Sequence, residues 1–232
     1  MFTIGLDLAA VQDYTALSVL RTDGAGEKRS HFCGGLDRWR KPYPATVEFV
    51  AGLAGRYAFR RATLVCDQTG VGRPVVDMIR AALPGRRVIG VTITAGSGWS
   101  RGEHRDDLRV SKKLLCSTLQ VLLSERRLSF AGESPLAPVL ESELANFRVK
   151  VTPNANETFE AWRERDHDDL VLSLALAAFV AENMPKPLSD ARVANAVLNA
   201  TTLSGRDLAA GEGVRSRLEE LAEDLPHIFA GD

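Results

Sequence analysis

The 232-residue chain has no long hydrophobic run: its most apolar stretch, Leu170 to Ala181, is interrupted by Ser173 and falls short of the about 20 residues that cross a bilayer. No membrane-spanning helix is expected. Cysteine is scarce. Cys33, Cys66 and Cys116 are an odd number, far apart and without a C-x-x-C pair, which argues against a disulfide framework or a zinc site and for buried thiols. The first ten residues lack the basic start, apolar core and cleavage site of a secretory signal, so a cytoplasmic location is expected. Neither sign of charge dominates, the net being −1. Hydrophobic residues at 45% and charged residues at 25% exclude a disordered, collagen-like or coiled-coil chain and leave one globular domain with a possible appendage.

The charge that is present is unevenly placed. From Glu182 onward there are nine acids and five bases, so residues 1–181 carry 24 bases against 21 acids. Within that body Arg101, Arg105, Arg109, Lys112, Lys113, Arg126 and Arg127 outnumber Glu103, Asp106, Asp107 and Glu125. A basic face for phosphate contact and an ordinary solvated helix surface are both open readings.

The pattern along the chain is α/β. Phe2 to Ala9 is short and apolar, as expected of a central strand, and Asp7 sits near its end. Tyr14 to Arg21 and Arg29 to Leu36 complete a three-strand antiparallel meander around the turn-rich Thr22-Asp-Gly-Ala-Gly26. Pro44 opens a helix to about Tyr57, and Arg61 to Cys66 gives a fourth strand with Asp67 just past its end. Gly70 and Gly72 turn into a helix from Pro74 to Leu83, and Arg87 to Ile93 returns as a fifth strand, closing a right-handed β-α-β unit. Thr94 to Asp106 reads as a functional loop or irregular hairpin. Helices are expected over Val110 to Leu123, Pro138 to Phe147 and Asp166 to Met184, the last opening on Asp166-His-Asp-Asp169, which can cap it. Residues 185–232, after Pro185-Lys-Pro187, read as an acidic tail with one amphipathic helix at Arg215 to Leu225.

Asp7, Asp67 and the pair Asp168/Asp169 are the acids this topology would gather. Clustered carboxylates repel unless cations neutralise them, and hard oxygen donors select Mg²⁺ or Mn²⁺ over zinc. Two such ions about 3.5–4 Å apart activate water and stabilise the leaving oxygen of a phosphodiester. Taken singly, Asp7 reads equally as a turn cap, Asp67 as a turn aspartate before Gly70, and Asp166 to Asp169 as a helix N-cap. Asp7 tells most, because a charge inside Ile4-Gly-Leu-Asp-Leu-Ala9 is rarely buried without a partner or a metal.

These residues resemble the nuclease domain of phage terminase large subunits, a ribonuclease H-like fold, over nearly the whole of residues 1–184. Gly5-Leu-Asp7-Leu-Ala is similar to the first acidic motif. Cys66-Asp67-Gln-Thr-Gly-Val-Gly72 with Pro74-Val-Val-Asp77 is similar to the second, and His167-Asp168-Asp169-Leu-Val-Leu-Ser-Leu-Ala-Leu-Ala177 to the third. Val110-Ser-Lys112-Lys-Leu-Leu115, Arg127-Leu-Ser-Phe130 and Leu140-Glu-Ser-Glu-Leu144 with Phe147 follow the family's order of helix, short strand and helix. The resemblance implies a mixed five-stranded central sheet flanked by helices, and a metal-dependent endonuclease that cuts concatemeric double-stranded DNA during genome packaging in the host cytoplasm. It also implies two divalent cations, Mg²⁺ or Mn²⁺, held by Asp7, Asp67 and Asp169 or Asp168, with Asp169 the preferred ligand of that pair. His167 would orient a carboxylate or a phosphate from outside the metal shell, and Lys112, Lys113, Arg105 and Arg101 would contact DNA phosphates. Implied partners are double-stranded DNA, a packaging ATPase on the same or a separate chain, the portal and the small terminase subunit, with no membrane. The chain departs from the family in having no G-x-x-x-x-G-K-S/T motor motif. A Holliday-junction resolvase shares the fold and metal logic, a nucleotide-binding module of the actin type would need a glycine where Leu8-Ala9 stand, and a non-catalytic assembly module needs no acidic cluster.

Overall fold

The structure is a computed structural model that describes residues 1–10, 12–24, 29–131, 134–147 and 168–184. The chain divides into a compact unit, Met1–Glu182, and a second, Asn183–Asp232. The expected helix at Arg215 to Leu225 and the residues Asp166 and His167 lie outside the described residues.

Strand β1 (Phe2–Asp7) is buried from Thr3 to Asp7, the pattern of a strand covered on both faces. It pairs antiparallel with β2 (Thr15–Asp23), which pairs antiparallel with β3 (Ser30–Trp39), so the meander is present as expected. On its other side β1 runs parallel to β4 (Thr63–Asp67), and β4 parallel to β5 (Val88–Thr94). Helix α1 (Tyr43–Gly55) opens with Pro in its first turn, where a missing N–H costs nothing. Helix α2 (Gly72–Ala82) follows Gly70, whose φ of 62° needs a residue without a Cβ.

The sheet has eight strands rather than five, in the order β6-β7-β5-β4-β1-β2-β3-β8. The Gly- and Ser-rich stretch after β5 holds a hairpin of β6 (Trp99–Arg101) and β7 (Asp107–Ser111), with β7 extending the sheet parallel to β5. In β7 the buried Leu108 and Val110 flank the exposed Arg109, a two-residue period that merges in the sequence with the helical spacing of α3 (Lys112–Ser124). That helix starts two residues later than the spacing implies, because Ser111 Oγ caps it by accepting from Leu114 N at 3.2 Å. Strand β8 (Leu128–Phe130) pairs parallel with β3 and is too short to show a period of its own. Helices α4 (Ala137–Phe147) and α5 (Asp169–Asn183) complete the described elements.

Two glycine environments identify the faces. A Cβ on Gly5 would collide with the backbone carbonyl of Ser173, so α5 lies directly on β1 on Gly5's side. Every residue of α5 from Asp169 to Ala181 is buried, which explains why it has no polar stripe. Gly90, in register with Cys66, faces the Gln68 amide and the Asp107 carboxylate, and Asp107 pairs with Arg80 of α2 at 2.6 Å. Helix α2 therefore covers the opposite face, giving three layers of helix, sheet and helix. The three cysteines are free and buried, and burial pushes the Cys33 and Cys66 thiols up to about 12.

The C-terminal end of α5 is fastened across the sheet. Arg29 donates to the carbonyls of Ala181 and Glu182 at 2.6 and 2.7 Å, groups with no partner inside the helix. The Glu182 carboxylate accepts from Arg127 Nη1 at 2.9 Å and His31 Nε2 at 2.8 Å. The other ring nitrogen of His31, Nδ1, lies 3.0 Å from Thr22 Oγ1, and because a carboxylate only accepts, Nε2 carries the proton shared with Glu182.

Candidate functional site

Asp7 and Asp67 are the last residues of β1 and β4. Leu6 pairs with Cys66, so the two aspartates stand side by side on adjacent strands, and alternation puts both on the Gly5 side. They are 9% and 3% exposed. Among the described residues, no group donates to the Asp7 carboxylate. Asp67 Oδ1 accepts from Thr69 N at 2.7 Å and Thr69 Oγ1 at 2.5 Å, and Thr69 Oγ1 in turn accepts from Ile93 N at 2.9 Å. The turn after β4 thus holds the Asp67 carboxylate and ties it to β5.

Helix α5 supplies the third acid by simple rise. Ser173 lies over Gly5, and Asp169 is four residues earlier on the same helix stripe, about 6 Å along the axis. Asp7 is two residues beyond Gly5, about 6.6 Å along the strand. The two displacements match, so Asp169 arrives above Asp7, where it is 6% exposed. Asp168 does a different job. Its carbonyl accepts from Leu172 N at 2.8 Å, and its side chain, 23% exposed, accepts from Lys112 Nζ at 3.1 Å. Asp169 is the buried member of the pair and Asp168 the ion-paired one.

The electrostatics show convergence. Burial holds the Asp7 carboxyl well above the usual carboxylate range, and Asp67, Asp169 and Asp168 push it further, with Lys112 acting the other way. Burial lowers the Lys112 ammonium, and Asp168 opposes that shift. Lys112 is thus the counter-ion built into the acidic cluster.

Glu143 of α4 is a participant that sequence patterning alone does not single out. It is 6% exposed, and its Oε2 accepts from Val171 N at 3.0 Å, filling a donor at the open end of α5. Burial raises its carboxyl to about 7, the Val171 N–H pulls it down, and Asp169 and Asp168 push it up. The available signal is its place beside Leu140 and Leu144, on the side of an amphipathic helix that faces inward.

The remaining sequence candidates separate. Lys113 is exposed in the first turn of α3. Arg101, also exposed, pairs with Leu108, which pairs with Val91, which pairs with Asp67. It therefore shares a row of the sheet with the acidic cluster. Arg105 lies in the exposed turn before β7, at the end of that strand opposite Lys112. His167 is outside the described residues. The donor set is all hard oxygen, which suits Mg²⁺ or Mn²⁺. Among the described residues, no three His, Cys, Asp or Glu side chains already surround one point as a metal cage. Asp67 is turned toward Thr69 and Asp168 toward Lys112, as expected of mutually repelling carboxylates.

No protein-family model and no curated protein gives a significant match to this chain.

Proposed function

We propose that this chain is a metal-dependent DNA endonuclease of ribonuclease H-like fold, which cuts double-stranded DNA as the nuclease part of a phage packaging terminase. The observation that carries the reading is the meeting of Asp7, Asp67 and Asp169 on one face, buried and mutually raising the Asp7 carboxyl. Such a cluster costs folding free energy, and perturbed acids gathered this way mark functional sites. The antiparallel meander continued by parallel strands supports the fold assignment. The position supports it too: chain connections leave β1 and β4 in opposite directions across the sheet, and open α/β sheets bind ligands outside the carboxyl ends of strands at such a switch.

Asp7, between Asp67 and Asp169, would hold both divalent cations; Asp67 and Asp169 would each hold one. Bound there, the cations would supply an activated water and charge stabilisation for the leaving oxygen of a phosphodiester. Thr69 fixes the Asp67 carboxylate, and Glu143 fixes the end of α5 that carries Asp169. Lys112 balances part of the acidic charge and leaves Asp168 outside the buried centre. Because none of these groups reads a base edge, cleavage is expected on duplexes of any sequence.

The test is incubation of the purified chain with supercoiled plasmid in EDTA, Mg²⁺ or Mn²⁺, beside Asp67→Ala and Asp169→Ala. Nicking or linearisation that requires the cation and disappears in both folded variants supports the reading. Cutting that persists in EDTA or in either variant, or a folded wild type that cuts under no condition, refutes it.

A further inference from the structure

On β3, Arg38 stands in register with Ala16 of β2, and Ala16 with Asp7 of β1. Directly paired residues share a face of a sheet, so Arg38 emerges on the Asp7 face, two strands and about 10 Å away. Arg40 directly follows the last residue of β3 and is exposed. Both guanidiniums pack on the Tyr14 ring, their central carbons 4.6 and 4.1 Å from its centroid. Tyr14 directly precedes β2, and its N–H is held by Asp13 Oδ1 at 2.9 Å, so the ring stands at the turn that follows β1.

The acid next to Arg38 on the chain, Asp37, alternates to the opposite face and accepts from Arg38 N at 2.7 Å. Among the described residues neither guanidinium forms an ion pair. Two cations gathered on one ring repel each other. The ring fixes their position without cancelling their charge, and an anion that both reach relieves the repulsion. The same row of the sheet ends beyond Asp67 at the exposed Arg101, three strands and about 14 Å away. Cations on both flanks of an acidic centre, strung along one line, suit a polyanionic backbone better than a lone phosphate. Guanidinium forks match phosphate oxygens in pairs.

Resting on the endonuclease reading, we propose that Arg38 and Arg40, held on Tyr14, grip the phosphodiester backbone of duplex DNA on one flank of the acidic cluster while Arg101 meets it on the other. The test is the salt dependence of binding between the full chain and a labelled, mixed-sequence DNA duplex in EDTA, read by fluorescence anisotropy. It compares the wild type with Arg38→Gln/Arg40→Gln and with Arg38→Lys/Arg40→Lys. Each phosphate contact contributes about 0.9 to the slope of log affinity against log salt. The Gln pair is expected to lower that slope by about two and to weaken binding roughly tenfold or more at fixed salt. Its circular dichroism and melting should match wild type, and the Lys pair, which keeps both charges, should keep the slope. A Gln pair that binds like a DNA-binding wild type overturns the clamp and leaves the nuclease reading intact. A wild type that binds no duplex overturns both.

Discussion

Asp7 ends a strand whose interior is otherwise uncharged, and its carboxylate accepts no hydrogen bond among the described residues while three other carboxylates raise it. A charged group in that setting destabilises the metal-free protein. Asp7→Asn removes the charge at nearly constant volume. The expected outcome is a higher melting temperature in EDTA, by about 2–4 °C for each kcal/mol of repulsion relieved in a chain of this size, together with complete loss of cleavage. Scanning calorimetry decides it, since a melting temperature equal to or below wild type would mean that the carboxylate is not opposed. Asp7 was legible in the sequence because a charge in an apolar run is costly to bury and so marks a position that needs a counter-charge. Asp169 could be ranked above Asp168 only by preference. Deciding between them takes the close approach of Ser173 to Gly5, which is a property of packing. Glu143 could be placed on the inward side of its helix from Leu140 and Leu144 but not joined to the site, because its partner, the Val171 N–H, is 28 residues away.

At the scale of elements, α5 is the part that must not slide, since any shift along β1 separates Asp169 from Asp7. Both of its ends are tied, the first by Glu143 and the last by Arg29, Arg127 and His31. The His31 tie gives a pH dependence. Burial lowers its pKa below the ordinary 6.5, outweighing the hydrogen bond and charge of Glu182. A histidine lowered on folding contributes stability that is fully present above about 6.5 and is lost as pH falls through 6.5 toward its folded value. The Glu182 carboxyl is lowered by its bonds to His31 and Arg127 against the opposing effect of burial, so its own loss comes separately, below the ordinary 4.5. Asp7 and Glu143, whose carboxyls are raised on folding, add stability as pH falls over the same range, so the His31 part is read as a difference: between pH 7.5 and pH 5.5 the urea midpoint of wild type should fall relative to that of His31→Gln. A wild-type midpoint that does not fall relative to the variant's over that interval would contradict the lowered, buried ring. Long elements with strong periods, β1 to β5 and α1 to α5, were readable. The hairpin β6–β7 was legible only as one of two readings of a Gly- and Ser-rich stretch, and β8 only through the family resemblance, because the three-residue strands β6 and β8 carry no period of their own and are held by pairing with β7 and β3.

At the scale of the whole molecule, one row of the central sheet separates acidic from basic groups, which ion pairs such as Arg21–Asp23 and Arg127–Glu125 mix elsewhere. The acids that matter converge where β1, β4 and α5 meet, Arg38 and Arg101 lie along the same row on either side, and Arg40 joins Arg38 on the Tyr14 ring. Net charge near zero conceals this, since composition averages over a surface that register divides. The central claim is that the acidic meeting point is a divalent-cation site, and it is tested most directly by calorimetric titration of Mn²⁺ into the metal-free chain, with Asp7→Asn and Asp169→Asn alongside. Saturable Mn²⁺ binding by the wild type that is lost or severely weakened in both folded variants is the expected result. A wild type that takes up no Mn²⁺, or variants that bind it as well as the wild type does, would contradict the account.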